Sequence, residues 1–175
     1  VTCYGWLQLN IQSKKSMSII QNLNEFYEQH SKGKSLIGLD LGEKTIGIAV
    51  SDNLLSVASP LKTIRRTKFK NDAAELMKII EERQIQGVIL GLPINMDGSE
   101  GPRCQSTRAF ARNLDKITDI LISFWDERLS TIAAERVLLE ADTSRKRRNQ
   151  VIDHVAAGYI LQGALDRIQN IKAQK

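Results

Sequence analysis

The stretch LIGLDLGEKTIGIAVSD, residues 36–52, places the carboxylate of Asp40 in the middle of an apolar run. Two β-prone runs, LIGLDL and TIGIAVS, flank a short polar break at residues 42–44, which predicts two antiparallel strands joined by a tight turn. An acid inside a core strand is costly to bury alone, and a divalent cation can offset that cost. Alternatively, Asp40 accepts hydrogen bonds from turn amides near Gly42 and has a structural role.

The remainder of the chain alternates strands and helices. The patterns predict further strands at residues 58–66, 87–93 and 119–128, and helices at residues 71–84, 105–118, 130–141 and 151–168. The order β-β-β-α-β-α-β-α-α predicts an α/β fold with a mixed five-stranded sheet and helices on both faces. The strands after the first helix are expected to run parallel to the first strand.

The N-terminal part differs from this pattern. Residues 17–33 have apolar side chains at helical spacing, which predicts a short amphipathic helix. We expect residues 1–34 to form an extension and linker, residues 35–170 the domain, and residues 171–175 a tail. Because the chain begins with Val1 and Met17 follows soon after, residues 1–16 are expected to be an upstream extension or an artefact of start-site choice.

Composition narrows the classes of partner. The 175 residues carry a net charge of +5, which favours a polyanionic partner, although a merely basic protein fits equally well. The two cysteines are far apart and form no CxxC or Cys/His cluster, so we expect no zinc site. So few cysteines fit reduced thiols, and we therefore expect a cytoplasmic location. The apolar runs are too short to span a membrane, so no membrane association is expected.

Three acids fall at the ends of predicted elements. Asp40 lies in the first strand, Glu127 near the end of the last strand, and Asp153 at the start of the last helix. The carboxyl ends of parallel strands open into one crevice, where α/β sheets place their sites. Carboxylates are hard ligands that suit Mg²⁺ or Mn²⁺, and such ions activate water to attack a phosphodiester. The sequence therefore predicts a catalytic metal site that these three acids form.

Each acid also has a structural interpretation on its own. Glu127 can pair with Arg128 or mark a strand end, and Asp153 can stabilise the first turn of a helix through the dipole. The coincidence of all three favours the catalytic interpretation. Asp126 competes with Glu127, because side chains alternate along a strand and only one of the two should face the site.

Basic residues supply candidate contacts to nucleic acid. The runs KTIRRTKFK (62–70) and RKRR (145–148) contain no acid, and they form either a solvated surface or contacts to phosphate. The candidate substrate contacts are Lys44, Arg128, Arg145, Lys146, Arg147 and Arg148. The loop at residues 95–103 is either a mobile flap or an exposed connection, and His154 either assists proton transfer or packs against the fold.

Four blocks together resemble one family. The blocks IGLDLGEKTIGIAVSD, GLPINMDGSEGP, WDERLSTIAAE and DHVAAGYILQ resemble the YqgF family of RNase H-like nucleases, which are related to RuvC resolvases. The resemblance extends from about Ser35 to Leu165, and the four blocks occur in the right order. The extension before Ser35 is longer than the family pattern requires.

The resemblance carries specific implications. It implies an RNase H-like fold with strand order 3-2-1-4-5 and metal-dependent phosphodiester hydrolysis with Mg²⁺ or Mn²⁺. Asp40, Glu127 and Asp153 match the family's catalytic, metal-binding acids. The family is associated with maturation of the 5′ end of precursor 16S ribosomal RNA, which implies pre-ribosomal particles as partners. It has also been described as a Holliday junction resolvase that acts on branched DNA.

Other functions compete with these two. A resolvase cuts two strands symmetrically, so a homodimer favours DNA junctions and a monomer favours RNA processing. Actin-like ATPases also carry a D-L-G block, and Gly42, Lys44 and Thr45 could imitate their phosphate contacts, but those proteins need two lobes. A non-catalytic nucleic-acid-binding module is the third class.

Overall fold

The fold is built on one mixed sheet. The computed structural model describes residues 18–129 and 145–174, with side chains in the last helix described from Asp153 onward. The strands are β1 (Leu36–Leu41), β2 (Thr45–Ser51), β3 (Ala58–Arg65), β4 (Gly87–Leu92) and β5 (Leu121–Asp126). Their order is β3-β2-β1-β4-β5, with β1 and β3 antiparallel to β2, and β4 parallel to both β1 and β5. The RNase H-like arrangement expected from the sequence is confirmed.

Helices cover both faces of the sheet. They are α1 (Leu23–Gln29), α2 (Phe69–Glu82), α3 (Pro102–Asp115) and α4 (Arg145–Ala173), and a 3₁₀ turn, Glu127–Leu129, follows β5. One core cluster joins the sheet to α2 and α3, and a second joins its opposite face to α1 and α4. The helix predicted at residues 130–141 lies outside the described residues. Within the part of the chain that is described, no helix is long and apolar enough to cross a bilayer.

The central strand β1 shows how the two faces are divided. All six of its residues are buried, as expected for a strand with helices on both sides. Ile37, Leu39 and Leu41 belong to the cluster with α2 and α3. A Cβ added to Gly38 would lie 2.6 Å from Cβ of Leu161 in α4. Because side chains alternate along a strand, Asp40 points to the same face as Gly38, toward α4.

The N-terminal helix is much shorter than predicted. It begins at Leu23, capped by the side chain of Asn22, and ends at Gln29, so the prediction of a helix over residues 17–33 is wrong at residues 18–22 and 30–33. Ile20 donates its backbone N–H to Ile122 at 2.8 Å, and Ile122 donates to Ser18 at 2.7 Å. The segment therefore covers the outer edge of β5, where a sheet would otherwise expose unpaired backbone groups.

The last helix is longer than predicted. It extends over Arg145–Ala173 instead of residues 151–168, and the basic run at 145–148, predicted as a connection, is its first turn. Lysine and arginine are good helix formers, and neither glycine nor proline interrupts residues 145–157. Nothing in the local sequence stops the helix from starting at the basic run.

Candidate active site

Asp40 is the most buried of the three acids. It is 3% exposed and lies opposite Gly47 of β2. Residues directly opposite each other in an antiparallel pair project to the same face. A Cβ added to Gly47 would lie 1.9 Å from the carbonyl oxygen of Asp153 in α4. The carboxylate of Asp40 therefore lies on the face of the sheet where the backbone of Asp153 contacts β2.

Two residues of β2 position Asp153. Thr45 Oγ1 donates a hydrogen bond of 2.6 Å to Oδ2 of Asp153, and Gly47 makes room for the helix backbone at the same residue. Thr45 and Gly47 are two residues apart, so both face α4. The strand thus fixes the carboxylate of Asp153 through a side-chain contact and its main chain through close packing.

Glu127 lies on the same face of the sheet, over β4, the strand that pairs with β1 on the side away from β2. It is the first residue of the turn after β5, and its Oε1 lies 2.8 Å from the position of a Cβ added to Gly91. Leu39 pairs with Leu90 in parallel, so the next residues on the two strands, Asp40 and Gly91, lie side by side. The side chain of Glu127 therefore covers the strand position next to Asp40, in space that the absence of a side chain at Gly91 provides.

The neighbouring acid, Asp126, has a different partner. Arg128 donates from Nε to Oδ1 and Oδ2 at 3.0 Å each, and from Nη2 to Oδ2 at 2.7 Å. These hydrogen bonds hold the pKa of Asp126 below its ordinary value. The two acids therefore lie in different places: Oε1 of Glu127 occupies the space in front of Gly91, beside Asp40, whereas Asp126 binds Arg128.

The other predicted site residues are distributed around this edge. Lys44 is exposed in the turn between β1 and β2, directly before the first residue of β2. The backbone of Arg145, Lys146, Arg147 and Arg148 forms the first turn of α4, and their side chains lie outside the described residues. His154 Nδ1 is 3.2 Å from Thr63 Oγ1 of β3, so this ring packs against the sheet.

The loop at residues 95–103 is held in shape by its own hydrogen bonds. Asn95 donates its N–H to the carbonyl of Ser99, and Gly98 donates to the carbonyl of Asn95. Asp97 accepts from both the N–H and the hydroxyl of Ser99. Cys104, just after this loop, donates its thiol to the carbonyl of Pro93, and burial raises the pKa of that thiol. These contacts describe an exposed connection that is tied to the end of β4.

The three acids offer only carboxylate oxygens. Such donors suit Mg²⁺ or Mn²⁺ and not softer metals, so the chemistry of the set fits the expected ions. In the described ranges 18–129 and 145–174, no three His, Cys, Asp or Glu side chains already converge closely enough to hold an ion. The structure places the three acids on one face of the sheet, at the end of β1, and Thr45 binds the carboxylate of Asp153.

Sequence reasoning missed three residues of this arrangement. The sequence suggests Thr45 only as a phosphate contact of the kind found in ATPases, and it does not indicate Gly47 and Gly91 as parts of the site. A glycine inside an apolar strand indicates that another part of the chain approaches closely, and both TIGIAV and VILGLP carry that signal. The partner of Thr45, which is 108 positions away, leaves no comparable local signal.

Comparison with known proteins places the chain among nucleases. A family model described as "RuvX: Holliday junction resolvase" matches residues 34–167. A protein of Ruegeria pomeroyi named "Putative pre-16S rRNA nuclease" is 65% identical over 153 residues, which are 87% of this chain and 99% of that protein. One of the same name from Ruegeria sp. TM1040 is 70% identical over 139 residues, 79% of this chain and 88% of that protein. The solved structure of Thermus thermophilus RuvC in complex with a Holliday junction substrate is 9% identical, with a TM-score of 0.48, over 77% of this chain and 96% of that one.

Proposed function

Because the chain belongs to the RuvX family of Holliday junction resolvases, which confirms the resemblance to YqgF proteins, we propose that it is a metal-dependent nuclease that hydrolyses phosphodiester bonds. The observation that supports this proposal is the placement of Asp40, Glu127 and Asp153 on one face of the sheet, at the end of β1. Relatives that are 65–70% identical are named for precursor 16S rRNA, so that RNA is the proposed substrate. Its 5′ end, which the resemblance to the YqgF family implies, is the proposed region of cleavage.

Each acid has a distinct part in the proposed site. Asp40 is fixed in the central strand and supplies a carboxylate that solvent scarcely reaches. Glu127, on a turn beyond β5, and Asp153, on α4, approach it from two other elements. Together they would hold Mg²⁺ or Mn²⁺, which would supply Lewis acidity and a water of lowered pKa. Rotation of the side chains of Glu127 and Asp153 toward Asp40 is part of this proposal.

The substrate is expected to lie over the same edge. Lys44 is exposed beside the end of β1, and Arg128 keeps one guanidinium nitrogen, Nη1, directed toward the carbonyl of Asn95 at 3.5 Å. The run at 145–148 begins α4, the helix that carries Asp153. Contacts from such residues to phosphates weaken as salt concentration rises. A cytoplasmic location and association with pre-ribosomal particles belong to the same proposal.

Branched DNA is the second candidate substrate. The description of the matching family model as a Holliday junction resolvase favours it. A resolvase has to make two symmetric cuts, so a stable two-fold dimer in solution would support this candidate, and a monomer would support RNA processing. Light scattering at the concentration used for cleavage distinguishes the two states.

One experiment tests the proposal. The protein is incubated with a precursor 16S rRNA fragment and with a four-way DNA junction, each with Mg²⁺, with Mn²⁺ or with EDTA. We expect cleavage of the RNA with either ion and none with EDTA. Cleavage of the junction alone would transfer the assignment to the resolvase activity. Failure to cut either substrate with either ion would contradict the nuclease assignment.

The contact between Thr45 and Asp153 provides a test of how the site is positioned. Thr45→Val keeps the shape of the side chain and removes the donor to Oδ2 of Asp153. Because a hydrogen bond to a charged group contributes about 1.5–3 kcal/mol, we expect the single-turnover cleavage rate to fall roughly tenfold or more. Thr45→Ser retains the hydroxyl and should keep a rate close to that of the wild type. Equal rates in the valine variant and the wild type would show that this contact does not matter for cleavage.

A further inference from the structure

A small cavity lies at the end of β1 and begins at Leu41, the residue after Asp40. We call it the arginine notch; residues 41–43 and Arg66 line one side, and Pro102, Arg103 and Ser106 of α3 line the other. Its volume is about 190 Å³. Cavities for drug-sized ligands typically occupy about 300–1,000 Å³, so the notch suits a smaller group.

The charges of the notch favour an anion. Arg66 is half-buried, and its Nη1 donates a hydrogen bond of 2.6 Å to the carbonyl of Gly42, which holds the guanidinium at the wall. Among the side chains described, at residues 18–129 and 153–174, neither Arg66 nor Arg103 forms an ion pair, although Glu43 also lines the notch. A guanidinium presents several N–H donors in a planar fork that matches phosphate oxygens.

The position of the notch relates it to the catalytic edge. Leu41 follows Asp40 directly, so the notch and the buried carboxylate are one residue apart along β1, on opposite faces of the sheet. The side of the notch that α3 forms is also held in place, because the thiol of Cys104 donates to the carbonyl of Pro93, directly after β4. That strand also carries Gly91, against which Glu127 lies. A nucleic-acid strand that crosses this edge would pass both the acids and the notch.

We propose that the arginine notch binds a backbone phosphate of the substrate strand next to the phosphate that is cut, with Arg66 and Arg103 as its positioning residues. This inference rests on the proposed nuclease function and specifies how the substrate is held. It selects the phosphate interpretation over the solvated-surface interpretation for one residue of the basic run 62–70. It also adds Arg103, which the sequence did not single out.

Equilibrium binding tests the notch directly. The full chain is titrated into a fluorescent single-stranded RNA in EDTA, which prevents cleavage, at several salt concentrations. Arg66→Gln and Arg103→Gln should each weaken binding about tenfold and reduce the slope of log K against log salt by about 0.7. Arg83→Gln is the matched control, since Arg83 is an exposed arginine at the end of α2, shortly before the start of β4, whereas the notch lies at the end of β1. It should leave both quantities unchanged.

The outcomes separate the notch from the nuclease assignment. Among the described residues, the side chain of Arg103 has no hydrogen bond or ion pair, and only its backbone carbonyl accepts a bond, from the hydroxyl of Thr107. Replacement of this side chain should therefore not affect folding. Arg66→Lys keeps the charge, loses the fork, and is expected to fall between the wild type and Arg66→Gln. If Arg66→Gln and Arg103→Gln both bind like the wild type with the same slope, the notch is not a phosphate site, even when cleavage persists. If the wild type cleaves nothing, the nuclease assignment fails while the binding result still decides the notch.

Discussion

Asp40→Asn is expected to lower the single-turnover cleavage rate by at least about 10³-fold while the protein still folds. The change removes the negative charge and almost no volume at a residue that is 3% exposed on the central strand. In the proposed site this carboxylate is the ligand with the least freedom to move, because β1 pairs with strands on both sides. The rate is measured with enzyme in excess, and folding is checked by circular dichroism and thermal unfolding.

Asp72→Asn is the matched control for this variant. Asp72 is 5% exposed in α2, and its Oδ1 accepts hydrogen bonds from the N–H and hydroxyl of Thr67. We expect this change to cost about 1 kcal/mol of unfolding free energy and to leave the cleavage rate near that of the wild type. Wild-type cleavage by Asp40→Asn, purified away from host nucleases, would contradict the proposed role. An equal loss in Asp72→Asn would show that burial, and not the site, causes the effect.

Gly47→Ala is expected to destabilise the protein by about 1–3 kcal/mol and to reduce cleavage far more than that loss of stability explains. The added Cβ would lie 1.9 Å from the carbonyl oxygen of Asp153 and 2.9 Å from the backbone nitrogen of His154. Because both atoms belong to the main chain, α4 has to move away from β2. That movement separates Asp153 from Asp40 and from Thr45.

Gly101→Ala is the control for added volume at a glycine. A Cβ at Gly101 has its nearest neighbour at 3.7 Å, so we expect a cost below about 1 kcal/mol, in line with a change at a helix N-cap. Stability is measured by urea denaturation, and cleavage is measured below the onset of unfolding. If Gly47→Ala has the same free energy of unfolding and the same cleavage rate as the wild type, α4 does not pack against β2 as described.

The strands could be predicted because their signals are local. The apolar run around Asp40 and the run GVILGLP both form strands that are buried on two faces, and a polar break marked the turn between β1 and β2. The placement of the acids at the same end of the sheet follows from the rule that parallel strands share their carboxyl ends. These inferences need no knowledge of which distant side chains touch.

The remaining features depend on contacts between distant residues. Ile19 and Ile20 were assigned to a helix because their spacing fits one, yet the edge of β5 binds their backbone instead. Alternation alone could not decide between Asp126 and Glu127, because the turn after β5 and the guanidinium of Arg128 determine where each carboxylate lies. The bond between Thr45 and Asp153 likewise forms only when α4 packs on the sheet.

Mn²⁺ binding, followed by electron paramagnetic resonance, tests most directly whether the three acids share a cation. The titration compares the wild type with Asp40→Asn, Glu127→Gln and Asp153→Asn. We expect the wild type to bind Mn²⁺ at a site that each of the three changes weakens at least about tenfold. Wild-type affinity for Mn²⁺ in all three variants would show that these carboxylates do not form a common metal site.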